Sequence, residues 1–173
     1  MNKSIRVLLI DGYNLIHSHQ RLSGLVGEDA GSAREGLLRE LSSLTSPEYY
    51  GLVIVVFDAA GSRQAEPVIG KKGDIQVVYT RRGQTADSFI ETAVKHLAPE
   101  CEVHVATSDR MLANLSSGFG AVSIDGASLL RSAEEARQET REEMRRMSQQ
   151  DRTPLEERVD EETRRLLNKL RFQ

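Results

Sequence analysis

The chain has 173 residues and a mass of 19.3 kDa, enough for one well-packed domain with an appendage and too short for two ordinary ones. Apolar residues at 39% and charged residues at 28% exclude a disordered polymer, and no apolar run approaches the ~20 residues that span a bilayer. The net charge of −3, from 23 basic and 26 acidic side chains, gives no support to nucleic-acid binding by bulk electrostatics.

The N-terminus, Met-Asn-Lys-Ser-Ile-Arg, runs straight into an apolar stretch with a strand pattern, Ile5–Ile10, so no secretory leader is expected. That stretch is the first predicted strand. Ala33–Leu44 has helical spacing, Leu52–Phe57 and Ile75–Tyr79 are further strands, and Ala86–Leu97 is a second helix. Strand Val103–Ala106, helix Arg110–Leu115 and strand Ala121–Ile124 follow. The strands are rich in Val and Ile, and several are continuously apolar, as strands covered on both faces should be. Alternating β and α elements predict an α/β fold with a mostly parallel central sheet and helices on both sides. Such sheets place their sites at the carboxyl ends of the strands.

Composition changes near residue 131. Residues 131–173 contain 11 Lys+Arg and 11 Asp+Glu, so this segment is half charged yet neutral. The expected division is a globular domain at 1–130 and a helical extension at 131–173. Ala127–Gln150 reads as a long charged helix. Thr153-Pro154-Leu155-Glu156 starts another, with Thr153 as N-cap, Pro154 at the first helical position and Glu156 closing a capping box. The charges suit a solvated helix surface laced with i,i+4 pairs, or an arginine-rich arm that touches RNA or a ribosomal surface. Cys101 is the single cysteine, which excludes an internal disulfide and suits a reducing cytosol, so a cytoplasmic location is expected.

Acidic residues follow the strands. Asp11-Gly12-Tyr13-Asn14 comes after the first, Asp58 after the second, and Thr107-Ser108-Asp109 after the fourth. The helix after the third strand opens with Thr85-Ala86-Asp87, and Glu91 lies one turn on, on the same helix face. Each acid alone is explained by a turn or a helix cap. Four at one sheet edge are harder to explain that way. Gathered carboxylates repel unless a cation neutralises them, and hard divalent ions with oxygen ligands, Mg²⁺ or Mn²⁺, are the natural solution. His17 and His19, in a predicted loop, and His96 and His104 offer no alternative metal site. There is no GxxxxGK[ST] phosphate loop, no GxGxxG after the first strand and no GxSxG nucleophile elbow.

Asp11-Gly12-Tyr13-Asn14-Leu15-Ile16, Val55-Val56-Phe57-Asp58-Ala59, Thr85-Ala86-Asp87 and Ala106-Thr107-Ser108-Asp109 together resemble the YacP-like NYN family of PIN-like metal-dependent nucleases. The resemblance runs over nearly the whole chain. It implies a PIN-like three-layer sandwich and endoribonuclease activity. Bacterial members include a ribosome-associated endoribonuclease that cuts messenger RNA on translating ribosomes, so RNA and the ribosome are the implied partners. Carried over by motif, Asp11, Asp58, Asp87 and Asp109 form the acidic, metal-holding site, and Asn14 orients Asp11 or a water.

Lys71 and Lys72, placed in a Gly-containing loop between the second and third strands, and Arg81 and Arg82, ahead of Asp87, are candidates for gripping phosphates. Tyr13 either stacks on a base or packs against the first helix. The leading reading is a metal-dependent endoribonuclease. The alternatives are a non-catalytic RNA- or ribosome-binding module with the same fold, and a small phosphohydrolase acting on nucleotides. Retention of all four aspartates favours the enzyme, and Arg137, Arg141, Arg145 and Arg146 are the candidate docking residues.

Overall fold

The computed structural model describes residues 5–26, 29–46, 48–59 and 66–150, the side chains of 149 and 150 excepted. Strand β1 (Arg6–Asp11) leads into helices α1 (Gly12–Ser18), α2 (Gln20–Val26) and α3 (Ala30–Leu41). Strand β2 (Leu52–Phe57) is followed by the hairpin β3 (Val68–Lys72) and β4 (Ile75–Tyr79). Helix α4 (Ala86–Leu97), strand β5 (Glu102–Ala106), helix α5 (Arg110–Gly118), strand β6 (Val122–Ile124) and helix α6 (Gly126–Gln150) complete the order.

The described strands form one sheet in the order β3-β4-β2-β1-β5-β6. Every pairing is parallel except β3 with β4. Strand alternation builds two cores, one on each face. Leu8 and Ile10 of β1 pack among Leu15, Ile16, Leu37 and Leu41 of the α1–α3 layer, which also takes Leu129 and Ala133 of α6. Leu9 points the other way, among Ile90 and Val94 of α4 and Leu112 of α5. The result is the three-layer α/β sandwich with a mostly parallel centre that the sequence predicts.

The connections from β1 run outward through β2 to β4, and then return across the sheet to β5. The direction therefore reverses between β1 and β5, and the crevice beyond their carboxyl ends is the preferred place for a site in such sheets.

Three segments differ from expectation. Residues 12–26, with His17 and His19 read as loop, form α1 and α2: His17 lies in the last turn of α1 and His19 caps it. Gly12, Asn14, Ser18, Ser23 and Gly24 weaken the helical signal, but buried Leu15, Ile16 and Leu22 dock both short helices. The predicted helix Ala33–Leu44 begins earlier, at the Asp29 cap, and ends in a 3₁₀ turn at Ser42–Thr45. Lys71 and Lys72 are not in a loop but on β3, an exposed antiparallel edge strand that follows no hydrophobic alternation. Its register comes from the two-residue turn at Gly73-Asp74, where Gly73 has φ +58°.

The composition shift at residue 131 falls inside α6. The chain divides into units at Ala136 and Arg137, and α6 buries Leu129, Leu130, Ala133 and Ala136 within the first. In the second unit, residues 141–148 are exposed, including Arg141, Arg145 and Arg146. The helix start expected at Thr153 lies outside the described residues.

Gly12 is the tightest point of the site-bearing turn. A Cβ there would collide with the ring of Phe57, which is fully buried in β2. We expect Gly12→Ala to destabilise the protein by about 1–3 kcal/mol through this overpacking, read as a lower urea midpoint with an unchanged slope.

Candidate active site

Each acid is delivered by a different element. Asp11 ends β1 and caps α1, its Oδ1 accepting the Asn14 backbone N–H at 3.0 Å. Asp58 follows β2 directly. Buried Thr80, just beyond β4, brackets it by donating its N–H to the Phe57 carbonyl (3.0 Å) and accepting the Ala59 N–H on Oγ1 (3.1 Å). Asp87 sits in the first turn of α4, whose N-cap Thr85 accepts the Ser88 N–H. Asp109 caps α5, with Oδ1 accepting the N–H groups of Met111 (2.7 Å) and Leu112 (3.3 Å).

A clamp crosses the β1–β5 crevice. The Asn14 side-chain oxygen accepts both the N–H (2.9 Å) and the hydroxyl (2.8 Å) of Ser108. Thr107, buried behind it, accepts the Asp109 N–H on Oγ1 at 3.0 Å. In these bonds Asn14 positions Asp11 through its backbone, and its side chain fixes the turn that carries Asp109.

The four acids share one electrostatic neighbourhood. Burial, partly offset by the Asn14 amide, pushes the Asp11 carboxyl up to about 6, with repulsion from Asp87 and Asp58 adding to the rise. Asp87 is also raised, first by burial and then by repulsion from Asp109, with Asp58 contributing. The Asp11 and Asp87 carboxyls are near neighbours, and their interaction raises Asp11 and lowers Asp87. Two carboxylates in this state form an incomplete pair, stabilised by a proton or by a cation.

Among the described residues, no three His, Cys, Asp or Glu side chains converge tightly enough to cage an ion by themselves. That arrangement is unsuited to zinc, which wants four closely set protein ligands in a structural site. It is compatible with Mg²⁺, which usually keeps several waters and takes only one or two carboxylates. The Asp11–Asp87 pair is the donor set that fits.

The remaining candidates lie around this centre. Tyr13 packs edge-on against Phe57, with centroids 5.3 Å apart, and its hydroxyl accepts from Arg34 at 2.8 Å. Glu91 is ion-paired with Lys95 at 2.6 Å. Arg81 and Arg82 are exposed in the turn before α4, while Lys71 pairs with Asp74 (3.4 Å) and Lys72 with Glu35 (3.1 Å). His104 bonds the Tyr50 hydroxyl and Glu102, both at 3.0 Å, and His96 bonds the Thr92 carbonyl, so both have structural partners. Sequence reasoning missed Thr80 and Arg34. Thr80 immediately follows a predicted strand, the position at which the other strands present their functional residues, and that was its available signal.

The YacP-like NYN domain model matches residues 8–172, spanning every motif above. The chain belongs to this family. It is 35% identical over 135 residues to the uncharacterized protein YacP of Bacillus subtilis strain 168, covering 74% of this chain and 75% of that one. The crystal structure of Rae1 (YacP) from Bacillus subtilis matches with TM-score 0.67 and 29% identity, over 95% of this chain and 94% of that chain. A point mutant of the same protein matches with TM-score 0.69 over 90% of each chain. As a YacP-like NYN protein, the chain has the fold of the PIN-like nuclease class. Among the described residues, no helix is long and apolar enough to cross a membrane.

Proposed function

We propose that the protein is a metal-dependent endoribonuclease that hydrolyses RNA phosphodiester bonds, acting in the cytoplasm on messenger RNA at the ribosome. The observation that carries the reading is the Asp11–Asp87 pair at the β1–β5 switch point, with both carboxyls raised by burial and by repulsion from neighbouring acids. Asp11 and Asp87 would hold Mg²⁺ or Mn²⁺, with Asp58 and Asp109 close enough to add field or to hold ion-bound waters. Bound there, the ion supplies Lewis-acid polarisation of a water and of the phosphate. Hydrolysis joins the water oxygen to phosphorus as the bond to the leaving hydroxyl breaks. The chain's own contribution is position: Asn14 and Ser108 lock the two sides of the crevice, and Thr80 fixes the turn at Asp58.

Delivery to RNA needs a second surface. The chain is acidic and its site is a cluster of negative charge, so diffusional steering of free RNA works against it. Arginine is the side chain best suited to bidentate phosphate contact, and the exposed stretch with Arg141, Arg145 and Arg146 supplies three. Pure protein should cut naked RNA slowly, faster with ribosomes, and should lose cleavage in EDTA. It should cosediment with ribosomes, and replacing Arg141, Arg145 and Arg146 by Gln should weaken that cosedimentation. Cosedimentation unchanged in the triple variant moves docking elsewhere. Cosedimentation without cleavage under any metal makes the protein a binding module.

A further inference from the structure

A groove of about 510 Å³ lies between α3 and the β3–β4 hairpin. Val77 and Tyr79 of β4 and Gly70 of β3 line it, and three cations, Arg34, Lys71 and Lys72, stand at it. Strand register explains the open space. Gly70 pairs with Val77, so both face the side of the sheet on which Val77 joins the α3 core. A Cβ on Gly70 would meet nothing within 4 Å, so the absent side chain leaves room there.

Two contacts join this groove to the acidic edge. Arg34 bonds the hydroxyl of Tyr13, two residues beyond Asp11. Tyr79 stacks on Phe57 with centroids 5.8 Å apart, and Phe57 immediately precedes Asp58. These contacts tie the groove's lining to the elements that carry Asp11 and Asp58.

The lining charges suit a phosphate. Asp29 is occupied by the Gly31 and Ser32 amides, which leaves Glu35 as the other acid of the groove. The Lys72–Glu35 and Lys71–Asp74 pairs are solvent-exposed, and such pairs are weak enough to yield to a stronger anion. The volume suits one nucleotide and not a duplex.

Resting on the nuclease reading, we propose that this groove binds the nucleotide next to the cleaved bond of a single-stranded RNA. Lys72, on the same face of β3 as Gly70, takes its phosphate, Arg34 supports it from the α3 side, and Val77 and Tyr79 pack against its sugar and base. Gly70 is the residue that keeps the seat open.

The test measures anisotropy of a short fluorescent single-stranded RNA bound to the full chain carrying Asp87→Asn, which separates binding from cleavage. Lys72→Gln should raise Kd about tenfold at low salt and lower the log–log salt slope by about 0.7 for the lost phosphate contact. Gly70→Val should weaken binding comparably with the salt slope and the melting temperature unchanged, because the residue lies in extended backbone with free space around it. Parental Kd and slope in all these variants, while the wild-type protein cleaves RNA, would overturn the subsite and leave the nuclease reading standing. A mononucleotide that binds as tightly as the RNA would make the groove a small-nucleotide site and overturn the proposal. Absence of both RNA binding and cleavage by the unmodified chain would overturn the nuclease reading and this one together.

Discussion

We expect Asp87→Asn and Asp11→Asn each to lower RNA cleavage by about 10²–10⁴-fold while the protein stays folded. The two carboxyls are neighbours that perturb each other at the acidic edge, and each stands on a separate element. Replacing one carboxylate by an amide removes a full charge from an ion that would hold few other protein ligands, and such losses fall in the range of a missing acid–base or metal group. The geometry also ranks the four acids. Asp109 spends Oδ1 on two backbone amides at the start of α5, and Asn is an equally good cap. Asp109→Asn should therefore cost least, about tenfold, by weakening the field around Asp87 without losing the turn. Single-turnover cleavage of one RNA substrate by the four Asn variants, with circular dichroism to confirm folding, checks the order. Full activity in folded Asp11→Asn or Asp87→Asn sinks the assignment.

The central sheet was legible in the sequence because its strands are covered on both faces. Leu52–Phe57 is an unbroken apolar run and Ile75–Tyr79 is apolar but for Gln76, neither with helical spacing, and both strands form with those bounds. The acids were legible for a related reason. Once the strands are parallel, residues following their carboxyl ends share an edge, whatever the helices between them do. Elements that depend on tertiary support were not legible. The strand β3 has Gly70, Lys71 and Lys72 among its five residues and is exposed throughout, so only pairing with β4 makes it a strand. Helices α1 and α2 have seven residues each, below the length at which local propensity decides, and are held by Leu15, Ile16 and Leu22. The pairing of Tyr13 with Arg34 joins residues 21 apart, and that of Asn14 with Ser108 joins residues 94 apart. Spacing carries no trace of either. Asn14 was recognised by its motif, but the atom it grips was set by the fold.

The second large effect is on stability, and it has the opposite sign to the effect on cleavage. A carboxyl raised in the folded protein binds its proton more tightly there than in the unfolded chain, so its ionisation opposes folding. For Asp11, raised from 3.8 to about 6, the penalty is absent below the unfolded value and fully present above the folded one. Metal-free protein should therefore lose stability as pH rises from about 4 to about 6. At full strength the shift is worth about 3 kcal/mol, and solvent reaching this partly exposed carboxyl reduces it to about 1–2 kcal/mol. Asp11→Asn keeps the α1 cap but carries no charge. In EDTA near neutral pH it should melt about 3–6 °C above the parent, with the difference vanishing near pH 4. Millimolar Mn²⁺ should raise the parent towards the variant, because an ion that binds only the folded state relieves the same repulsion, and should leave the variant nearly unmoved. Melting curves of both proteins across this pH range, with EDTA and with Mn²⁺, decide the matter. If the parent is the more stable protein in EDTA near neutral pH and Mn²⁺ shifts neither, the acidic edge stores no repulsion, and Asp11 is a helix cap rather than part of a cation site.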